Sequence, residues 1–148
     1  MASTEWFLLA HPAFMNQLVI STQKMASARA KAGADWIHHS DVKRHFALTH
    51  QITERIPQDP SSPEFRLGNA LGQRYKLWFR AKFFQQYRIF FRYSSIRNII
   101  VYGWVNDPTT LRAYGSKTDA YLVFKRMLES GRVPNNWDEL IAESKRLS

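Results

Sequence analysis

The chain has no cysteine among its 148 residues. That removes a disulfide framework, a thiolate nucleophile and cysteine-held metals, and it fits a reducing compartment. No apolar run approaches the roughly 18 residues that a membrane span needs. The opening stretch MASTEWFLLAHPAF has an apolar patch but no basic residue before it, unlike a secretory signal. Internal repeats, low-complexity segments and a linker between two cores are missing as well. These absences predict a soluble cytoplasmic protein with no membrane partner, built as one domain over residues 1–148. A chain of this size buries about 68–70% of its unfolded surface, enough for a proper core.

The most informative absence is of negative charge. Between Glu64 and Asp107 there is no acidic residue. The same stretch holds Arg66, Arg74, Lys76, Arg80, Lys82, Arg88, Arg92 and Arg97, with twelve aromatic residues interleaved. Over the whole chain 21 Lys and Arg stand against 12 Asp and Glu, a formal net charge of +9. Such a balance favours phosphate polymers or anionic surfaces. The charges are also ordered. From Arg74 to Phe83 the even positions read Arg, Lys, Trp, Arg, Lys and the odd positions Tyr, Leu, Phe, Ala, Phe. Alternation with period 2 is the mark of a strand with one buried and one wet face.

The chain reads as β-α-α-β-β-β followed by helices, an α+β arrangement. Trp6 to Ala10 is a first strand. Pro12 suits the first turn of a helix that runs to about Arg29 and ends at Gly33. Ser40 or Asp41 caps a second helix that Pro57 stops. The two helices are expected to pack as a hairpin over one sheet face. Strand two is placed at Arg74 to Phe83, strand three at Tyr87 to Tyr93 and strand four at Asn98 to Val105, as an antiparallel meander. Strand four is apolar on both sides, as a central strand is. Asp107-Pro108 starts a short helix closed by Gly115, Thr118-Asp119 starts another, and Asn136 with Glu139 opens a last one with Leu147 inward.

On adjacent strands, about 4.8 Å apart, Arg80, Lys82, Arg88 and Arg92 project from one side, and Lys76 precedes them on the same pattern. Arginine grips phosphate oxygens in pairs through a planar fork. The alternative is a solvated face without a task, against which stands the missing counter-charge. RNA is the inferred partner. Trp78 and Phe90 share the basic face, where they either stack on unpaired bases or pack under the C-terminal helix. After the last strand, Asn106, Asp107, Arg112, Tyr114, Lys117, Asp119, Tyr121 and Lys125 crowd a strand-to-helix junction, where substrate contacts are often found. His38, His39, His45 and His50 lack carboxylates at metal-ligand spacing, so neither a metal nor another cofactor is expected.

W-x-R-x-K-F from Trp78 to Phe83, Y-R-I-F-F-R-Y-S from Tyr87 to Ser94, and G-W-V-N-D-x-x-T-L-R-x-Y-G-x-K-T-D-A-Y-x-V-F-x-x-M-L from Gly103 to Leu128 resemble the YhaV toxin family. A-H-P-x-F near the start and S-S-P-x-F-R from Ser61 to Arg66 match too. The resemblance implies a RelE/ParE-like fold, with a two-helix hairpin on a small, mainly antiparallel, twisted sheet and helices at the C-terminal end. It implies a toxin of a type II toxin–antitoxin system that cleaves mRNA, on or off the ribosome, and stops translation and growth. It implies a PrlF-type antitoxin with a swapped-hairpin DNA-binding fold, held in a hetero-oligomer. Such enzymes resemble metal-independent ribonucleases in which the RNA's 2′-hydroxyl attacks the adjacent phosphorus and leaves a cyclic phosphate. On that reading Arg80, Arg88 and Arg92 stabilise the phosphate, with Arg80 the firmest. Tyr121 or Tyr114 moves a proton, since a phenolate is favoured among cations, and Asp119 is a candidate base. Lys76, Trp78, Lys82, Phe90, Arg112, Tyr114, Lys117 and Lys125 contact RNA. The rivals are a non-catalytic toxin that blocks a protein target, an RNA- or ribosome-binding module that does not cleave, and a DNA-binding regulator.

Overall fold

Local capping decides where the first elements begin and end. The structure is a computed structural model, and residues 5–147 are described. Strand β1, Phe7–Ala10, runs directly into helix α1, Pro12–Ala32. Pro12 occupies the first turn, where its missing N–H costs nothing. The His11 ring accepts the Ala13 N–H at 3.1 Å, and Gly33, at φ 60°, closes the helix. A 3₁₀ segment, Gly33–His38, leads to α2, Ser40–His50. Its cap is His39, whose Nδ1 accepts the Asp41 N–H at 3.1 Å, rather than the expected Ser40 or Asp41. The helical path widens to π geometry over Gln51–Arg55 and finishes with a turn at Ile56–Gln58 that contains Pro57.

The described residues form a five-stranded mixed sheet in the order β2-β3-β4-β1-β5, with β5 the short strand Lys145–Arg146. Strands β2 (Phe79–Phe83), β3 (Tyr87–Ser94) and β4 (Ile99–Val105) make the expected antiparallel meander. β4 lies at the centre, and β1 pairs with it in parallel, Phe7 opposite Ile99. Helix α3 is Ala120–Glu129 and α4 is Trp137–Glu143. Asp119 caps the first, and Asn136 caps the second through the Glu139 N–H at 3.0 Å.

The alternation of β3 sorts the core into two halves. Ile89 and Phe91, with Ile100 and Tyr102, face α1 and α2 through Phe14, Leu48, Ile52 and Ile56. Phe90, with Val101 and Trp104, faces α3 and α4 through Phe124, Met127, Leu128 and Leu140. Both sheet faces are therefore covered, and the C-terminal helices make a third layer. Among the described residues no helix is long and apolar enough to cross a membrane.

Three expectations about elements fail. Strand two does not begin at Arg74. Gln73–Tyr75 is a 3₁₀ turn, and local bonds from Tyr75 N–H to Gly72 C=O and from Trp78 N–H to Tyr75 C=O replace a ladder. Tyr75 and Trp78, three apart, are both buried against the α3 side, so a turn spacing accounts for that part of the alternation. The predicted helix after Asp107-Pro108 is a run of turns. The Asp107 carboxylate accepts the Thr109 N–H at 2.9 Å and both the Thr109 and Thr110 hydroxyls, which offers the backbone a local alternative to a helix. Finally, the last helix stops at Glu143, and Lys145–Arg146 form β5, which pairs with β1. The Leu147 N–H also reaches the Leu8 C=O at 2.8 Å. A two-residue strand carries no periodic signal.

Candidate active site

The β2–β3 register sets Arg80 opposite Phe90 and Lys82 opposite Arg88. Arg80, Lys82, Arg88 and, past a bulge at Phe90/Phe91, Arg92 thus share the side that α3 and α4 cover. The common side is as the alternation predicts. Its openness is not, since Arg88 and Arg92 are each 7% exposed. Arg80 is half-buried and Lys82 exposed.

Two of these arginines converge on one phenol. Arg80 Nε donates to the Tyr121 hydroxyl at 2.9 Å, and Arg88 Nε donates to the same oxygen at 3.1 Å. Arg80 Nη1 also donates to the Arg66 carbonyl. Arg88 Nη1 donates to the Gln85 and Tyr87 carbonyls at 2.6 and 2.9 Å. Neither guanidinium meets a carboxylate among the described residues, so both keep an uncompensated charge beside Tyr121.

A third guanidinium covers the ring. Arg112 Cζ lies 4.8 Å from the centroid of Tyr121 and 5.5 Å from that of Tyr114. Arg112 Nη1 donates to Asp119 Oδ1 at 2.6 Å. The Asp119 side chain is nearly buried; Oδ1 also accepts the Ala113 N–H at 2.8 Å, and Oδ2 the Tyr121 N–H at 3.1 Å. Both oxygens are thus engaged, and Asp119 caps α3 and holds Arg112. Buried Asn106 ties the parts together. Its Oδ1 accepts the Arg88 N–H at 2.8 Å, and its Nδ2 donates to the Gln86 and Thr110 carbonyls at 2.9 and 2.8 Å. Sequence reasoning noted Asn106 as one polar residue of a junction and missed this role. Nearby, burial works to raise the Asp107 carboxyl, but hydrogen bonds from Thr109, Gln17 and Thr110 outweigh it and hold the group below its ordinary value.

Above Tyr121 lies an open cleft of about 410 Å³. Arg112, Tyr114, Lys117, Asp119, Tyr121 and Lys125 line it, with Ala70 on the opposite wall. All six were picked out from the sequence, and the fold brings them together. The volume is in the range of small-ligand sites and suits a nucleotide. Tyr114 is 94% exposed at its mouth.

Other predicted residues are elsewhere. Trp78 and Phe90 are fully buried and cannot stack on a base. Phe90 stacks on Phe124 at 4.3 Å, and Trp78 meets Phe124 edge-on while its Nε1 donates to Asn135 Oδ1 at 3.0 Å. Arg92 donates to the Asn135 carbonyl at 2.5 Å and lies between the Trp78 and Trp137 rings, at 5.8 and 5.3 Å. Burial lowers its pKa from the ordinary arginine value. It is a packing residue rather than the phosphate ligand expected. Lys82 lines a different recess with Arg55 and Glu64, which pair with each other. Lys76 lines a groove with Arg66 on the far side of the 67–72 loop. Among the described residues no three His, Cys, Asp or Glu side chains converge on a metal position.

The model of a family described as "Toxin with endonuclease activity, of toxin-antitoxin system" matches residues 8–145. The chain is 40% identical over 141 residues to Toxin YhaV of Escherichia coli O6:H1, covering 94% of this chain and 92% of that one. It has the same identity and coverage with Ribonuclease toxin YhaV of Escherichia coli strain K12. No solved structure matches it.

Proposed function

Since the chain belongs to the YhaV family of toxins with endonuclease activity, of toxin–antitoxin systems, we propose that the Tyr121 cleft is its catalytic centre and that RNA is cut there. The observation that carries this is the pair of carboxylate-free guanidiniums, Arg80 and Arg88, meeting on the hydroxyl of Tyr121, a residue that lines the cleft. The relative named a ribonuclease toxin supports RNA as the substrate.

The cut is an internal transfer. The 2′-oxygen bonds to phosphorus as its proton passes to water, the bond from phosphorus to O5′ breaks, and O5′ takes up a proton from Tyr121, which solvent then reprotonates. The ends are a 2′,3′-cyclic phosphate and a 5′-hydroxyl. DNA lacks the attacking group. Arg80 and Arg112, both partly exposed, bind the phosphate and meet the charge that builds on it. Tyr121 gives the proton to O5′, and the Nε–H groups of Arg80 and Arg88 meet the charge that develops on the phenol oxygen. Asp119 is a positioning residue that holds Arg112 over the ring. Lys117 and Lys125 draw the RNA chain into the cleft. The guanidiniums supply the positive charge that the transition state needs, so the reaction is read as metal-independent.

The α1–α2 hairpin on one face of the meander supports a RelE-like reading of the fold, with one domain carrying the activity. The partners proposed are cytoplasmic mRNA, free or on the ribosome, and a PrlF-type antitoxin that holds the toxin inactive in a hetero-oligomer.

The test is purified protein with single-stranded RNA in the presence of a chelator. Cyclic phosphate and 5′-hydroxyl ends are expected, and a 2′-deoxy substitution at the cleaved linkage should block the cut. Cleavage that needs a divalent ion, or that proceeds at the deoxy linkage, contradicts the mechanism.

A further inference from the structure

The chain between Arg66 and Phe79 leaves the sheet and returns to it. Arg66 bridges Phe79, so the two ends of the excursion are adjacent. Leu67, Leu71, Tyr75 and Trp78 are buried and anchor the excursion on the α3 side. Its tip, residues 68–70, is exposed, with Gly68 at φ 62° turning the chain outward.

This tip separates two depressions. On one side Ala70 forms a wall of the Tyr121 cleft. On the other, Arg66, Asn69 and Lys76 rim a second groove of about 330 Å³, whose apolar floor is the half-buried Phe79 with Leu67 and Trp78 buried behind it. The two are joined underneath by one side chain. Arg80 directs Nε to Tyr121, in the cleft, and Nη1 to the Arg66 carbonyl, in the wall of the groove. Arg80 thus ties Tyr121, which lines the cleft, to Arg66, which lines the groove. Arg66 and Lys76 are exposed, and neither is ion-paired among the described residues. Two free cations, an amide and an apolar floor match the parts of a nucleotide: its phosphate, its base edge and its base face.

We propose that this groove is the subsite for the nucleotide next to the cleaved linkage, with Lys76 and Arg66 on its phosphate and Asn69 on its base. RNA then runs over the 68–70 tip, one nucleotide on each side, with Arg80 beneath the crossing. The inference rests on the RNA-cutting reading of the Tyr121 cleft. It places Asn69 as a residue that sets which base flanks the cut, since a side-chain amide pairs with base edges.

The experiment compares the parent with Arg66→Ala, Lys76→Ala and Asn69→Ala, all exposed side chains; removing the Arg66 side chain leaves the carbonyl that Arg80 uses. Binding is measured on a single-stranded RNA made uncleavable by 2′-deoxy substitution, across a salt series, and cleavage is measured on the unmodified RNA. Loss of each cation should lower the log–log salt slope by about 0.7, the value for one phosphate contact on a single strand. The effect on cleavage should fall on KM rather than kcat, and Asn69→Ala should flatten base preference at one position beside the cut. Unchanged slope, KM and cut positions overturn the proposal. A fall in kcat at unchanged KM also overturns it, as does a loss confined to antitoxin binding. If the parent binds RNA but cuts none, the ribonuclease reading fails while the binding arm still decides the groove.

Discussion

Tyr121 accepts hydrogen bonds from two guanidiniums through one oxygen, an arrangement that needs both donors held against their mutual repulsion. Backbone carbonyls do the holding: Arg66 fixes Arg80, and Gln85 with Tyr87 fixes Arg88. Placement by carbonyls leaves the positive charge intact, which a carboxylate would cancel. Arg112 is the contrasting case, because Asp119 partly neutralises it. At this scale the sequence made the shared side of Arg80 and Arg88 legible through alternation. It could not tell Arg88 from Arg92, since the two occupy equivalent positions on one strand and differ in what α3 and α4 place above them.

The other residue of note is His45, 8% exposed and within 3.0 Å of Ser21 Oγ between α1 and α2. Burial lowers its pKa below 6.5. The unfolded chain then takes up the proton first as pH falls, so stability is full above about 6.5 and declines as pH drops through that value toward the folded pKa. The urea midpoint should fall between pH 7.5 and 5.5, and less steeply in His45→Gln. An equal fall in both would assign the pH dependence to other groups.

Among the elements, the excursion from Arg66 to Trp78 matters most, because it walls the cleft. Its hold on the body of the protein passes through Trp78, which lies against Gly103 of β4. A Cβ at position 103 would sit 2.6 Å from Trp78 Cζ3 and 2.8 Å from Cη2. Gly103→Ala should therefore destabilise the fold by about 1–3 kcal/mol, the usual range for overpacking. It should also slow RNA cleavage at temperatures where the protein remains folded, because the wall moves with the indole. Parental activity at full folding would separate the excursion from the site. The hairpin of α1 and α2 and the meander were legible because their periodicities are long. The segment 74–78 was misread because a turn with buried Tyr75 and Trp78 and a strand share the same short alternation. The run after Asp107 was misread because an aspartate followed by threonines satisfies a turn as readily as a helix start.

For the whole molecule, the net charge of +9 and the acid-free middle were plain in the sequence. Their spatial outcome was not. The expectation of one open basic face gave way to a covered sheet in which Arg88 and Arg92 are buried and Lys82 lines a separate recess. That follows from the C-terminal helices, whose apolar residues need the same sheet face as the arginines. Six polar residues picked from the stretch after the last strand nonetheless met in one cleft, since a cap at Asp119 and a short connection leave them few other places to go.

The proposed centre of RNA cleavage is Tyr121 with its two guanidiniums. Single-turnover cleavage at saturating RNA tests it most directly, with Tyr121→Phe and Arg80→Ala beside the parent and folding checked for each. Rates should fall by about 10²-fold or more, the lower end for removal of a proton donor or a charge-stabilising group, and Tyr121→Phe should bind RNA within a few-fold of the parent. Folded variants that cut at the parental rate would contradict the assignment.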